Sequence, residues 1–242
     1  MKVYIQCDRR GLPDEDSFFL AQKGFEECGM ETVGFQSIDE LQYAQREDIV
    51  VGYVGMVRRQ LLRFGVTVPE MDYPEALTFC MGRKVWKSTA NTVNRRPEMW
   101  PVFMKSVADK AITGVVVRSQ KDLIGCGMWN GDQEVWCSEV VSFVEEWRCF
   151  VRYGRILDVR HYKGDWRRFL DPAVVEKAVR EWTDAPAGYA LDFGLTEDGR
   201  TLLVEANDGY ALGSYGLFYV EYAKLLSARW AELTGTEDSL NF

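Results

Sequence analysis

The segment from Ala190 to Tyr210, ALDFGLTEDGRTLLVEANDGY, constrains the fold of this chain more than any other part of its sequence. Asp198-Gly199 separates two runs of alternating apolar residues, which predicts a hairpin with a two-residue type I′ turn, because that turn needs positive φ at both central residues. The resulting register pairs Thr196 with Thr201, Gly194 with Leu203, Asp192 with Glu205 and Ala190 with Asn207. One face is then apolar, formed by Leu191, Phe193, Leu195, Leu202, Val204 and Ala206.

The opposite face of this hairpin places two carboxylates, those of Asp192 and Glu205, directly across from each other, where like charges repel. A solvent-facing acidic edge, a shared proton or a bound cation would each account for the pair. Asn207, two residues beyond Glu205 on the same side, favours the cation. Two carboxylates and an amide oxygen form an oxygen-only set of the kind that suits Mg²⁺. The sequence therefore predicts a magnesium site at Asp192, Glu205 and Asn207.

The composition limits the class of protein. A chain of 242 residues that is 47% hydrophobic has ample material for one large or two small domains. Its net charge of −8 argues against general binding of nucleic acid or a membrane surface. Its six cysteines are scattered and His161 is its single histidine, which excludes an ordinary zinc site and a histidine-dependent triad. The opening MKVYIQCD predicts a strand rather than a secretory leader, so a reducing cytoplasm is the expected location.

The pattern along the chain predicts a mixed fold. Residues 1–70 show strand, helix, strand, strand, helix, which is typical of a small α/β unit, and the turn-rich VTVPEMDYPEA follows. A helix over Glu75–Ala90 and an antiparallel sheet with a turn at Asn130-Gly131 come next. The later elements that we predict are strands Trp147–Tyr153 and Ile156–Tyr162, a helix opened by Asp171-Pro172, and a helix over Phe218–Leu233 that stops at Gly235.

Four basic residues stand out as candidates for binding phosphate. Arg148 and Arg160 lie inside apolar strands, where an arginine is normally paired or bound to phosphate. Lys105 ends the apolar strand PVFMK, and Lys110 lies in the loop before TGVVV. The sequence lacks both GxxxxGK[ST] and GxGxxG, so neither of those phosphate-binding loops is available.

The order of these parts resembles the ATP-grasp superfamily. The resemblance rests on the strand lysine, the loop leading to TGVVV, an acidic hinge, an E-x-R-x-F-V strand and the D…E-x-N hairpin. It is closest to the small stand-alone clade marked by two arginines and a lysine, with an EANDGYALGSYG-like segment. It implies an α+β fold in which two subdomains grip ATP between antiparallel sheets. We expect an N-terminal α/β domain at 1–70, a lid subdomain at 75–137 and a C-terminal subdomain with the metal site at 138–242.

The resemblance also implies a role for each candidate residue. Lys105 is similar to the strand lysine that contacts ATP phosphates, and Lys110 to a second cation in the loop covering them. The hinge groups that meet adenine correspond to Glu139, Val140 and Val141, and the acid on the ribose hydroxyls to Glu146. The arginines facing the γ-phosphate and the acyl substrate correspond to Arg148 and Arg160; with Lys105 they are the expected catalytic residues. The magnesium ligands correspond to Asp192, Glu205 and Asn207. An earlier cation could be Arg83 or Lys84.

The activity that the resemblance implies is ATP-dependent carbon–nitrogen ligation. ATP would phosphorylate a carboxylic acid, and an amine would displace phosphate from the acyl phosphate to form an amide or peptide bond, with Mg²⁺ as cofactor. The expected substrates are ATP and a small carboxylic acid, amino acid or peptide, with no nucleic acid or membrane partner. The oligomeric state stays open. An ATP-binding module without ligase activity and a small-molecule kinase on the same fold are the alternatives.

The two strand arginines lead to a prediction about their turn. A two-residue loop at Gly154-Arg155 would put Arg148 and Arg160 on opposite faces of the hairpin. A three-residue loop from Tyr153 would place them directly opposite each other, which makes sense around an anion because two guanidiniums repel. We therefore predict a bulged or three-residue turn, with both arginines on the side of Asp192, Glu205 and Asn207.

Overall fold

The structure is a computed structural model that describes residues 1–107, 114–124 and 131–242. It has the α+β architecture expected from the sequence, and it forms two compact units. The large unit comprises Met1–Cys80 and Val144–Phe242, and the small unit comprises Met81–Phe143. Within the described ranges, no helix is long and apolar enough to cross a membrane.

The N-terminal part of the large unit is a parallel three-stranded sheet with two helices. The strands are β1 (Val3–Gln6), β2 (Thr32–Phe35) and β3 (Ile49–Val51), in the order β2-β1-β3. The helices are α1 (Asp16–Glu27) and α2 (Val54–Arg63). The order strand, helix, strand, strand, helix is the one that the sequence predicts for this region.

A short passage leads from the large unit into the small one. The helix predicted over Glu75–Ala90 is wrong: a 3-10 turn at Glu75–Leu77 precedes the one-turn helix α3 (Thr78–Met81). Gly82 then adopts a φ of 60°, in the left-handed region that ends helices. The chain continues as strand β4 (Val85–Thr89), which pairs with the strand at Glu134–Ser138 in the small unit. That long-range pairing overrides the local helical spacing.

The small unit is built on an antiparallel four-stranded sheet. Its other strands are β5 (Val102–Ser106), β6 (Val115–Val117) and β7 (Glu134–Ser138), and the order across the sheet is β4-β7-β5-β6. Helix α4 (Ala90–Arg95) begins at Thr89, whose hydroxyl accepts the Thr92 N–H at 3.2 Å. The turn predicted at Asn130-Gly131 involves Asn130, which lies outside the described residues.

The C-terminal part of the large unit carries a second four-stranded sheet. Its strands are β8 (Phe143–Arg152), β9 (Arg155–Lys163), β10 (Gly188–Thr196) and β11 (Thr201–Asp208), in the order β11-β10-β8-β9. Helix α5 (Pro172–Glu181) starts as predicted, with the Asp171 carboxylate accepting the Ala173 N–H at 2.9 Å. Helix α6 (Tyr219–Thr234) ends at Gly235, whose φ is 68°.

Helices α1 and α6 join the two ends of the chain in one core. A Cβ on Gly24 would lie 2.0 Å from the carbonyl oxygen of Tyr219, so only glycine permits this close approach. The shared core includes Phe25, Phe35, Leu61, Tyr222, Leu226 and Trp230. The boundary expected near residue 70 therefore does not separate two compact units, because the N-terminal sheet packs with the C-terminal part of the chain.

Candidate functional site

The β10–β11 hairpin pairs Asp192 with Glu205 and Ala190 with Asn207, as the sequence predicts. Its loop differs from the prediction. Leu195 pairs with Thr201, the Thr196 N–H donates to the Arg200 carbonyl at 2.9 Å, and Gly199 has a φ of 84°. The loop thus has three residues, with its glycine in the left-handed region.

A bulge restores the carboxylate pair after this longer loop. The register shifts by one residue between Asp192 and Phe193, and Val204 is the extra residue on β11. Gly194 consequently faces Leu202 rather than Leu203, so the predicted alternation along β11 is wrong between the loop and the bulge. Beyond the bulge, the predicted register holds.

The β8–β9 hairpin places Arg148 directly opposite Arg160, which confirms the predicted pairing. The turn itself is a two-residue turn at Tyr153-Gly154, where φ is 48° and 71°. A register shift between Phe150 and Val151 leaves Leu157 as an extra residue on β9. A bulge thus brings the arginines onto one face, and the three-residue alternative is not used.

These pairings create a line of charged residues across one face of the sheet, which we call the charge row: Glu205, Asp192, Arg148 and Arg160. Arg148 Nε donates to Asp192 Oδ1 at 2.7 Å, and Nη2 donates to Oδ2 at 2.6 Å. Arg148 is 7% exposed and Asp192 is 3% exposed. Asn207 Nδ2 also donates to Asp192 Oδ2, at 3.2 Å. The row therefore carries two acids and two bases, joined at its centre by a buried ion pair.

The pKa shifts of Asp192 and Arg148 show which group compensates the negative charge of Asp192. Burial raises the pKa of Asp192, the Arg148 guanidinium opposes that shift, and the Glu205 and Glu146 carboxylates add to it. Burial alone would lower the pKa of Arg148, but its pKa is raised because the Asp192 carboxylate outweighs burial. Of the three explanations that the sequence leaves open, a solvent-facing edge, a proton or a cation, the structure supplies a cation at Asp192, and it is the Arg148 guanidinium.

The Gly213–Gly216 segment, which we call the aromatic loop, lies over the arginines. The Tyr215 ring centroid is 4.3 Å from Arg148 Cζ, and the Tyr162 ring lies 4.9 Å from the Tyr215 ring. Tyr162 of β9 therefore lies against this loop.

His161 instead faces two other side chains. Its Nε2 is 3.1 Å from Glu145 Oε2, and its ring centroid lies 5.0 Å from that of Trp147. The neighbouring acid, Glu146, accepts a hydrogen bond from Tyr162 Oη at 2.8 Å and forms an ion pair with Lys163. Glu146 is thus linked through Tyr162 to the aromatic loop.

A second buried ion pair lies at the end of β11 and was missed from the sequence. Arg229 on α6 donates from Nε and Nη2 to the two carboxylate oxygens of Asp208, at 2.7 and 2.6 Å. The signal that could have revealed it is an arginine within the apolar pattern of a helix. The pair ties the end of the hairpin that carries Asn207 to α6.

Lys105 lies on β5 opposite Trp136 of β7, in the middle of the small unit's sheet. Lys87 on β4 also pairs with Trp136, and its Nζ lies 5.0 Å from the Trp136 ring centroid. The sheet therefore aligns two lysines on either side of one tryptophan, and Lys87 is a cation that the sequence did not single out. Lys110 lies outside the described residues.

The hinge follows directly on β7. The Glu139 N–H donates to the Lys84 carbonyl at 3.1 Å, and the Lys84 N–H donates to the Glu139 carboxylate at 2.9 Å. Arg83 Nη1 donates to the Met81 carbonyl at 2.9 Å. Val140 is 38% exposed. Glu139 thus fixes the start of the hinge, and the choice between Arg83 and Lys84 as an early cation stays open.

The two carboxylates of the charge row and the neighbouring Asn207 amide are chemically suited to Mg²⁺. Within the described residues, no group of three or more His, Cys, Asp or Glu side chains could hold a metal ion, so a site here needs the amide as well. Asp192 Oδ2 accepts from both Arg148 and Asn207, whereas Oδ1 accepts from Arg148. A carboxylate oxygen has two lone pairs, and the Asn207 amide keeps its oxygen when its nitrogen donates. Asp192 Oδ1, Glu205 and Asn207 therefore fit as ligands.

Known structures show the same fold. An ATP-grasp RimK domain protein from Sphaerobacter thermophilus DSM 20745 aligns with a TM-score of 0.61 at 15% identity, over 93% of this chain and 99% of that one. N5-carboxyaminoimidazole synthetase from Staphylococcus aureus, complexed with ADP, gives 0.61 at 12% identity, over 98% and 78%. D-alanine–D-alanine ligase from Bacillus anthracis, complexed with ATP, gives 0.53 at 14% identity, over 98% of both chains. The fold is that of the ATP-grasp proteins.

The sequence places the chain more narrowly. The family model described as ATP-grasp domain, R2K clade family 2, matches residues 80–225, and the chain belongs to that family. No curated protein matches the sequence.

Proposed function

We propose that this protein is an ATP-dependent carboxylate–amine ligase that forms an amide or peptide bond through an acyl-phosphate intermediate. The observation that carries the proposal is the charge row, which sets an arginine pair beside two carboxylates and an amide on one face of a sheet. Transfer of a phosphoryl group needs cations around the phosphate oxygens and acids to hold Mg²⁺. The proposed substrates are ATP and a small carboxylic acid, amino acid or peptide.

The two arginines have different parts in this proposal. The side chain of Arg160 is 43% exposed and contacts Asp158 at 3.2 Å, so its guanidinium is accessible to an anion. Arg148 uses Nε and Nη2 for Asp192, and its Nη1 lies on the side of Gly213. We assign Arg160 to the γ-phosphate or acyl phosphate, with Arg148 presenting Nη1 to the same anion.

For the nucleotide, we propose contacts that follow the family pattern. Lys105 would contact the ATP phosphates from its strand, and Lys110 would do so from its loop. The hinge would meet adenine through the backbone of Val140 and Val141, because the Glu139 N–H already donates to Lys84. Glu146 would accept the ribose hydroxyls, with Tyr162 and Lys163 fixing its carboxylate.

Asp192, Glu205 and Asn207 would hold Mg²⁺. The metal, when bound, would supply positive charge to the phosphate oxygens. Asp192 has a second task in the proposal, because its carboxylate fixes the direction of the Arg148 guanidinium. Substitution of Glu205 leaves the two hydrogen bonds between Arg148 and Asp192 in place, so the two acids can be separated by mutation.

Release of ADP tests the proposal. The protein is incubated with Mg²⁺, ATP and pools of carboxylic acids and amino acids, and ADP and products are measured. We expect ADP release that requires both a carboxylate and an amine, and its loss in Glu205→Gln but not in the exposed control Glu237→Gln. ADP with a stable phosphorylated acid would establish a kinase. Nucleotide binding without ADP from any pool would establish a binding module.

A further inference from the structure

We propose that the aromatic loop positions the two arginines, and that Tyr215 is the positioning residue on which this depends. The inference deepens the proposed function, since it assigns the geometry of the anion-binding pair to a segment outside the sheet. Three sets of contacts carry it: a ring on Arg148, a glycine against Arg160 and an anchor on α1.

The first contact is a stack on the buried arginine. The Arg148 guanidinium is held by Asp192 on one side, while the Tyr215 ring lies 4.3 Å from its Cζ atom. The Tyr162 ring packs on Tyr215 at 4.9 Å, and Tyr162 is in turn hydrogen-bonded to Glu146. A guanidinium is attracted to an aromatic face and lies flat on it. The ring therefore adds a further restraint on the Arg148 guanidinium, beside its two hydrogen bonds to Asp192.

The second contact comes from the backbone of the loop. Tyr215 has a φ of 44°, in a region that a bulky residue rarely occupies, and Gly216 follows with a φ of 80°. A Cβ on Gly216 would lie 3.1 Å from Arg160 Nη2. Such a conformation persists only when its surroundings hold it. The same turn that places the Tyr215 ring on Arg148 thus also places the backbone of Gly216 against Arg160.

The third contact anchors the loop to the N-terminal helix. The Ser214 N–H donates to Ser17 Oγ at 3.1 Å, and the two serine hydroxyls are 3.1 Å apart. Ser214 is 4% exposed and Ser17 is half-buried, so the contact is partly shielded from solvent. Ser17 lies in the first turn of α1, whose helix packs against α6. The loop is therefore held by the core of the large unit, and the arginines are held by the loop.

The need for such a device follows from the charge row. Arg148 and Arg160 are direct cross-strand neighbours, and like charges in that position repel. The Asp192 carboxylate compensates Arg148 from one side only. Without the loop, the two guanidiniums would turn away from each other and would no longer converge on one anion. We expect this loss of convergence to lower turnover more than affinity.

Two substitutions of Tyr215 separate the ring from the backbone. Tyr215→Phe keeps the ring, and Tyr215→Asn removes it while tolerating a positive φ. We expect Tyr215→Phe to retain kcat within about twofold and Tyr215→Asn to lower it by about tenfold with a smaller change in KM, as loss of a cation–π contact implies. Equal kcat for both variants and the wild type would overturn the assignment to the ring.

A second measurement needs no substrate. The Nε–H proton of Arg148 is close enough to the Tyr215 ring for the ring current to shift its NMR signal, and this signal can be recorded in the protein without nucleotide. We expect it to keep its position in Tyr215→Phe and to shift in Tyr215→Asn. An unchanged signal in both variants would overturn the inference. If the signal behaves as expected while no acid pool gives ADP, the positioning stands and the ligase proposal fails.

Discussion

Arg148 on β8 and Asp192 on β10 form a buried bidentate ion pair, with N–O distances of 2.7 and 2.6 Å. The sequence places Asp192 opposite a second acid and leaves open what neutralises the two. The structure shows that an arginine from the neighbouring strand neutralises Asp192. Asp192 therefore supports the sheet in addition to its proposed role at the metal, and this dual role can be tested.

Asp192→Asn should destabilise the protein without nucleotide by about 3–5 kcal/mol, because it leaves the buried Arg148 guanidinium without its carboxylate. Urea unfolding measures the change. Glu205→Gln should cost less, because it leaves the buried ion pair between Arg148 and Asp192 in place. The double variant Arg148→Met with Asp192→Leu should recover most of the loss, because apolar residues can replace a buried ion pair. A similar small cost for Asp192→Asn and Glu205→Gln would contradict the structural role of the ion pair.

Arg160→Ala should weaken binding of a non-hydrolysable ATP analogue or lower turnover, without lowering stability. The Arg160 side chain is 43% exposed, and within the described residues its ion pair is with Asp158, an acid on the same strand. Calorimetric titration and thermal melts give the two values. Arg180→Ala, at an exposed arginine of α5, is the matched control. A loss of stability comparable to that of Asp192→Asn would show that Arg160 is structural.

Lys105 and Lys110 should respond differently to removal. Lys105 is fixed on β5, so Lys105→Ala should weaken binding of the ATP analogue outright. Lys110 is proposed to act from a loop over the phosphates, so Lys110→Ala should lower turnover more than affinity. Titrations and steady-state kinetics of both variants, with the exposed Lys121→Ala as control, measure the difference. Equal losses of affinity would remove the distinction.

Stability should fall at alkaline pH. Hydrogen bonding to Glu15 raises the pKa of Tyr53 to about 12, and burial raises that of Tyr153 to about 12. Burial also raises the pKa of Tyr162 and Tyr189. These groups keep their protons in the folded state at a pH where the unfolded chain has lost them. Their contribution is thus complete below the ordinary tyrosine pKa of about 10 and is lost as the pH rises towards the folded values.

Tyrosinate absorbance and urea midpoints, both followed upward from about pH 9, check this dependence. We expect some tyrosines to ionise only on unfolding, and Tyr162→Phe to reduce their number by one. Ionisation of every tyrosine near its ordinary pKa in the folded protein would contradict the predicted loss of stability at alkaline pH.

The sequence predicts which residues face each other at the site better than it predicts how the chain brings them there. The pairs Asp192–Glu205 and Arg148–Arg160 are both observed. The bulges at Val204 and Leu157 that produce these pairs have no local signal, because a bulge depends on how the strand packs against its neighbours.

The missed features have a common cause. The ion pair between Arg148 and Asp192 depends on β8 and β10 being neighbours in the sheet, which is a long-range property. The strand β4 depends likewise on pairing with β7. The Tyr215 contact with Arg148 requires a positive φ at a tyrosine, and no sequence pattern predicts that.

The transfer of oxygen from acid to phosphate tests the central claim most directly. The acid that supports ADP release is prepared with heavy oxygen in its carboxylate and incubated with the protein, ATP, Mg²⁺ and the amine. An acyl-phosphate route breaks the bond between the acyl carbon and the bridging oxygen, so we predict inorganic phosphate that carries one heavy oxygen per amide formed. Inorganic phosphate free of label, with the heavy oxygen lost from the acid recovered in AMP or in water instead, would contradict the account.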